Sequence, residues 1–265
     1  MKHSKLIISL LLALSLCLSA FLVYSRVELS RIKGNAVQAE EKETNKKEDI
    51  AEEEQQYKRY RNILSQDEIE DTLFGQPIST DRNGEYRIGI KCPDNGDFHA
   101  TLTVYIAENG EYKELFSCPA VIGKNGAGKQ SEGDVKTPLG TWKIGEAYGI
   151  KDSPETKLNY TKVTDDMYWC ATGDNSDKYN KLIYASDEPN ADHSDDEHLI
   201  DYSVPYAYFI DLGYNSAGAP YAGNAIFLHC WKGEDSPTGG CVAVSEENMI
   251  KILETIDSNT VVTIY

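Results

Sequence analysis

The chain has 265 residues, 40% of them hydrophobic, and a net charge of −17. That is room for one large domain with appendages or for two small ones. So acidic a protein lacks the basic face with which nucleic acid or an anionic surface is bound, and nucleic acid is excluded as a partner.

In chain order, Lys2, His3 and Lys5 precede an apolar run from Leu6 to Tyr24, and Arg26 follows it. A basic start before an apolar stretch near bilayer length predicts an export segment over 1–25. It is either a cleaved signal peptide or an anchor in the cytoplasmic membrane, and it places the remainder outside the cytoplasm. Cys17 follows Leu16, where lipoprotein processing wants a small residue, which argues against lipidation. Residues 26–75 are dense in Glu, Lys, Gln and Asn. They read as a charged stalk, partly helical and partly disordered. No apolar heptad pattern is sustained there, which argues against a coiled coil.

The core is expected over 76–265. "EYRIGIKC", "FHATLTVYIA" and "EYKELFSC" are alternating or β-branched runs separated by "PDNGD" and "ENG". They predict a three-stranded meander. Cys92 and Cys118 end two of these strands and are candidates for a disulfide. Gly123, Gly126 and Gly128 punctuate the loop that follows. With no Gly-Lys-Ser/Thr and no helix after it, the loop reads as a tight turn rather than a phosphate cradle. Residues 150–200 are polar and read as irregular. Their His193 and His198 are five apart among crowded carboxylates, a solvated acidic loop rather than a metal site. "YAYFIDLGYN" and "NAIFLHC" predict strands. "SEENMIKILETID" predicts a helix with Ser245 as N-cap, and "TVVTIY" a last strand. The fold class is therefore mostly β with one prominent helix.

One stretch concentrates chemistry: "FLHCWKGEDSPTGGCVAV", residues 227–244. Free cysteine titrates near about 8.5, so a catalytic thiol needs a base beside it. His229 ends one strand-like run and Cys241 begins another. If the two strands lie side by side, the intervening loop brings both side chains together. Pro237 and Thr238 stiffen the approach to Cys241. Gly239 and Gly240 carry no Cβ, so a substrate carbonyl can approach the N–H groups of Gly240 and Cys241. Five cysteines follow the export segment, an odd number, which in an oxidising compartment leaves a thiol over. No histidine follows Cys241, so its base lies upstream. His229 is nearest, ahead of His99, His193 and His198. Two readings stand at this point: a nucleophile with its base, or a buried cysteine and a core histidine in one strand pair.

At these residues the sequence resembles the L,D-transpeptidase catalytic domain family (YkuD type). That family carries a histidine at a strand end, a loop, then Ser/Thr-His-Gly-Cys. Here Thr238-Gly239-Gly240-Cys241 follows His229. "EGDVKTPLGTWKI" (132–144) resembles the family's upstream signature, and "SDKYN" (176–180) resembles the branch with a small residue in place of the motif's second histidine. The resemblance implies a β-sandwich with a helix beside the site. It implies Cys241 as nucleophile, His229 as base, the Cys230 carbonyl orienting the imidazole, and Gly240 in the oxyanion hole, with Thr238 and Gly239 on the substrate loop. It implies peptidoglycan stem peptides as substrate, with no cofactor and no metal. Two departures accompany it. Gly239 stands where the family has histidine. Val242-Ala243-Val244 stands where many members place an arginine that grips a substrate carboxylate. Hydrolysis of stem peptides by an L,D-carboxypeptidase or amidase, and a non-catalytic wall-binding module, are the competing readings. A sortase fits less well, because no arginine follows Cys241.

Overall fold

The computed structural model describes residues 82–172 and 177–265. The export segment, the stalk and the expected first residues of the core, 76–81, lie outside the described residues. Among the described residues no helix is long and apolar enough to cross a membrane.

The expected meander is present as β1 (Tyr86–Lys91), β2 (His99–Glu108) and β3 (Glu111–Val121), paired antiparallel in sequence order. Glu108 pairs with Glu111, so Asn109 and Gly110 alone make the turn, both at positive φ. Two left-handed residues match the twist of the hairpin strands, and Asn-Gly supplies them at least strain. Then come β4 (Gly140–Lys143), β5 (Ala147–Gly149), β6 (Tyr160–Lys162), β7 (Met167–Trp169), β8 (Leu182–Tyr184) and β9 (Glu197–His198). The chain closes with β10 (Phe209–Asp211), β11 (Phe227–Cys230), β12 (Val242–Val244), α1 (Glu246–Thr255) and β13 (Val261–Ile264). The Ser245 side chain accepts from Asn248 N–H at 3.2 Å, capping α1.

Ten strands form one sheet in the order β4-β13-β1-β2-β3-β12-β11-β10-β5-β6. The layers expected of a sandwich are made by this single sheet bending over one core. Ile88, Leu102 and Ile264 from one end share a buried cluster with Ile210, Leu228 and Val242 from the other. Met249, Ile252 and Leu253 of α1 pack into the same cluster.

Two expectations are corrected. Residues 150–200 are not irregular throughout. They include β6 and a second sheet, ordered β8-β7-β9, with a core of their own. Met167, Trp169 and Leu199 pack there against Tyr206, Phe209 and Phe227. Aromatic rings bury enough apolar surface to order a polar segment whose sequence lacks strand-length alternation. The candidate disulfide is not made, because Cys118 is a free thiol, like Cys170, Cys230 and Cys241. Ile90 pairs with Leu102 and Leu102 with Cys118, so Cys92 and Cys118 end strands two places apart. Two strand spacings of about 4.8 Å exceed the reach of a disulfide.

Candidate active site

Strands β11 and β12 run parallel and adjacent, with His229 paired to Ala243 and Cys230 to Val244. Side chains alternate faces along each strand. Leu228, Cys230, Val242 and Val244 enter the core shared with α1, while Phe227 and Cys241 enter the aromatic one. His229 and Ala243 therefore fall on the Cys241 side. His229, Cys241 and Ala243 all line one cleft of about 390 Å³, with Glu197, Tyr202, Tyr206, Asn224 and the loop 236–240.

The imidazole is fixed at one nitrogen. His229 Nδ1–H donates to the Cys230 carbonyl at 2.8 Å, which leaves Nε2 as the acceptor. Tyr206 meets the ring edge-on, with centroids 5.8 Å apart. Burial pulls the His229 pKa down to about 4, against the pull of the Cys230 carbonyl. The ring is thus a neutral base at neutral pH.

The thiol is held as firmly. Cys241 Sγ–H donates to the Ala225 carbonyl at 3.0 Å, and Phe227 N–H donates to Sγ at 3.3 Å. Burial pushes the thiol up to about 12. Both shifts favour the uncharged forms, imidazole and thiol.

The loop before Cys241 is tied down from two sides. Thr238 Oγ1 donates to the Cys241 carbonyl at 2.6 Å and accepts from Gly240 N–H at 3.2 Å. A substrate oxygen at Gly240 N–H would compete with that hydroxyl. Gly240 sits at φ +147, and a Cβ there would lie 2.9 Å from the Lys136 carbonyl oxygen. Gly239 has open space around it, enough for a side chain where the related motif has histidine.

Several residues of the site escaped sequence reasoning. Thr137 is fully buried; its hydroxyl accepts from Gly123 N–H and donates to the carbonyls of Gly240 and Cys241. It lies in the Thr-Pro signature, which carried the resemblance but assigned it no role. Lys129, only 3% exposed, pairs with Asp134 at 2.8 Å, and its Nζ is 3.6 Å from where a Gly240 Cβ would stand. Burial resists the Asp134 charge, but the Lys129 ammonium and three backbone N–H groups hold its carboxyl below the usual range. Asn180 Oδ1 accepts from Trp169 Nε1 and from Ala225 N–H, both at 2.9 Å. Ala225 has φ +50, a strained value for alanine, and its carbonyl receives the Cys241 thiol. The only sequence signal for Asn180 was its place in "SDKYN".

The other histidines lie elsewhere. His99 pairs with exposed Asp97. His193 and His198 bond to Asp196 and Asp201 and stack on Tyr168. None of the three lines the cleft. No group of three or more His, Cys, Asp or Glu able to hold a metal occurs among the described residues.

No curated protein matches the chain. A solved structure, that of Bdellovibrio bacteriovorus Bd1075, is similar at 16% identity with a TM-score of 0.39. That match covers 72% of this chain and 51% of the other, so this chain spans about half its length. Residues 99–264, which hold every element from β2 to β13 and both halves of the cleft, match the family described as the L,D-transpeptidase catalytic domain (YkuD). The chain belongs to the L,D-transpeptidase catalytic domain family.

Proposed function

We propose that the protein transfers acyl groups between peptidoglycan stem peptides through a thioester on Cys241. Sγ attacks the carbonyl carbon of an L,D bond while His229 Nε2 takes the thiol proton. The tetrahedral oxyanion meets the N–H groups of Gly240 and Cys241. His229 returns the proton to the departing amine, the C–N bond breaks, and the thioester remains. An acceptor amine then gives its proton to His229, attacks the thioester and releases the thiol.

The carrying observation is the register of β11 and β12, which gives one cleft a neutral imidazole and a thiol on the same face. The Cys230 carbonyl serves as the third member of the triad, since it holds Nδ1 and fixes the tautomer. The basic start and apolar run over Leu6–Tyr24 support a wall-facing, exported site of action.

The test is incubation of purified protein with stem peptides, followed by mass spectrometry of the Cys241 peptide and of the products. The expected result is an acyl adduct on Cys241 and new cross-linked stems. Trimmed stems without cross-links would replace transfer by hydrolysis. Turnover without an adduct, retained in Cys241→Ala, would reject the mechanism.

A further inference from the structure

The chemistry above leaves a buried ion pair idle. Lys129 Nζ donates to Asp134 Oδ1 at 2.8 Å, and water barely reaches the lysine. The place is built for that side chain. Gly223, ahead of β11, and Gly240, ahead of β12, flank it from two separate loops. A Cβ on Gly223 would stand 2.6 Å from Lys129 Cε, so the lysine lies where it does only because that position is glycine. A Cβ on Gly240 would stand 3.6 Å from Nζ. Local bonds fix both ends of the turn that carries the pair. Asp134 accepts from the N–H groups of Gln130, Ser131 and Lys136. The Lys129 N–H donates to the carbonyl of Thr137, whose hydroxyl holds the carbonyls of Gly240 and Cys241.

The pair points its positive end at the loop before Cys241. Nζ is one of the three atoms nearest the Gly240 Cβ position, and no atom of Asp134 is. An ammonium has three donors, and among the described residues Asp134 is the one acceptor that meets them. Lys129 does not line the cleft, so a bound peptide meets the loop and not the lysine. Acyl transfer raises negative charge at two points: on sulfur as it loses its proton, and on the attacked oxygen at the N–H groups of Gly240 and Cys241. A cation fixed behind that loop, out of water, stabilises both. Lys129, Glu197, Tyr206 and His229 are the titratable groups that face Cys241. Of these, Glu197 resists ionisation of the thiol and Lys129 favours it.

We infer that Lys129 is a positioning residue of the reaction, a buried cation that stabilises the charge arising at Cys241 and its oxyanion loop without touching the substrate. The inference rests on the acyl-transfer reading and adds a residue that acts through the loop. Asp134 keeps the ammonium in its slot. The competing account is a pair that only braces the turn. The two accounts part when both charges are removed together. Breaking a buried pair on one side leaves a charge uncompensated and costs stability, whereas replacing both partners by neutral groups is close to neutral. A brace is then restored, but the cation is still missing.

One arm of the test needs no turnover. The protein and its variants are treated with iodoacetamide across a pH series, and mass spectrometry of the Cys241 peptide gives the rate at each pH. The thiolate forms the S–C bond, iodide leaves, and the thiol proton goes to buffer. Lys129→Met keeps the length of the side chain and removes its charge. It should move the profile up by about one pH unit, or about tenfold in rate at a fixed pH, and it should lower the melting temperature. Lys129→Met/Asp134→Asn should regain the melting temperature and still react about threefold to tenfold more slowly than the unaltered protein, because the nearer charge of the pair is gone. The second arm follows acylation of Cys241 by a stem peptide at rising concentration. The double variant should lose about threefold to tenfold in maximal rate with the half-saturating concentration unchanged, the pattern of a group that acts only in the transition state. Slowed alkylation in the double variant, with no acylation of Cys241 even in the unaltered protein, keeps the role of the cation at the thiol and rejects acyl transfer. A double variant that matches the unaltered protein in both alkylation and acylation overturns the inference and leaves acyl transfer standing. A change confined to the half-saturating concentration also overturns it, since Lys129 would then be a binding group. Should Lys129→Met fail to fold, the double variant, which holds no unpaired charge, decides alone.

Discussion

The two faces of the β11–β12 pair are built to opposite rules. One face presents Leu228, Cys230, Val242 and Val244 to a cluster closed by Met249, Ile252 and Leu253 of α1. The other presents Phe227, His229, Cys241 and Ala243 to aromatic rings and a cleft. The first face can be filled with hydrocarbon and carries the stability. The second buries two titratable groups and suppresses the charge of both. The period of two in a strand lets one short pair do both, because each residue answers to a single environment. The lesson is that a site can be withdrawn from water without weakening the fold if the cost falls on alternate residues only.

The sharpest way to break this comparison is at the thiol. Cys241→Ala should lower turnover by on the order of 10⁶, as removal of a nucleophile does, while thermal melting changes little. His229→Gln should lower turnover by about 10²–10⁴ in a protein that still folds. A loss confined to melting, with turnover per folded molecule intact, would return His229 to the core. Leu228, next to His229 on the opposite face, should behave inversely. Leu228→Ala should cost about 2–5 kcal/mol in denaturant unfolding and leave turnover per folded molecule unchanged.

Acid should find the second face as well. The pKa of His229 is depressed to about 4 in the folded protein, so between about pH 6.5 and pH 4 the unfolded chain binds a proton that the folded one refuses. The corresponding stability is fully present above that window and is lost as pH falls through it. It amounts to about 3.5 kcal/mol at most, taking each pKa unit as roughly 1.4 kcal/mol. Melting of His229→Gln over the same range should lack this component; parallel pH profiles would refute it. The smallest contrast lies within the loop. Gly240→Ala meets the Lys136 carbonyl at positive φ and should cost about 1–3 kcal/mol. Gly239→Ala enters open space and should stay within about 0.5 kcal/mol.

Elements whose cause is local were legible in the sequence. The Asn109-Gly110 hairpin, the Ser245 cap and the β11 and β12 strands each follow from a few neighbouring residues. That His229 and Cys241 line one cleft was legible as a condition, since adjacency of the two strands had to be assumed. What escaped depends on distant partners. Trp169, Leu199 and Phe227 order the 150–200 segment by packing together, and no window of sequence contains all three. Glu197 was hidden among neighbouring carboxylates. Only the approach of Tyr206 and the cleft singles it out. Lys129 reads as a surface lysine until Asp134 is seen beside it.

The Thr137 hydroxyl joins the Cys241 carbonyl across 104 residues of chain. β12 also has to settle between β3 and β11 before that bond can close. A chain that emerges N-terminus first carries Thr137 long before it carries Cys241. Until β12 docks, the loop ahead of the thiol lacks its tie to Thr137, and His229 and Cys241 do not share a cleft. The site thus depends on contacts of long sequence separation, and a chain halted before β12 lacks one strand of the pair that holds it.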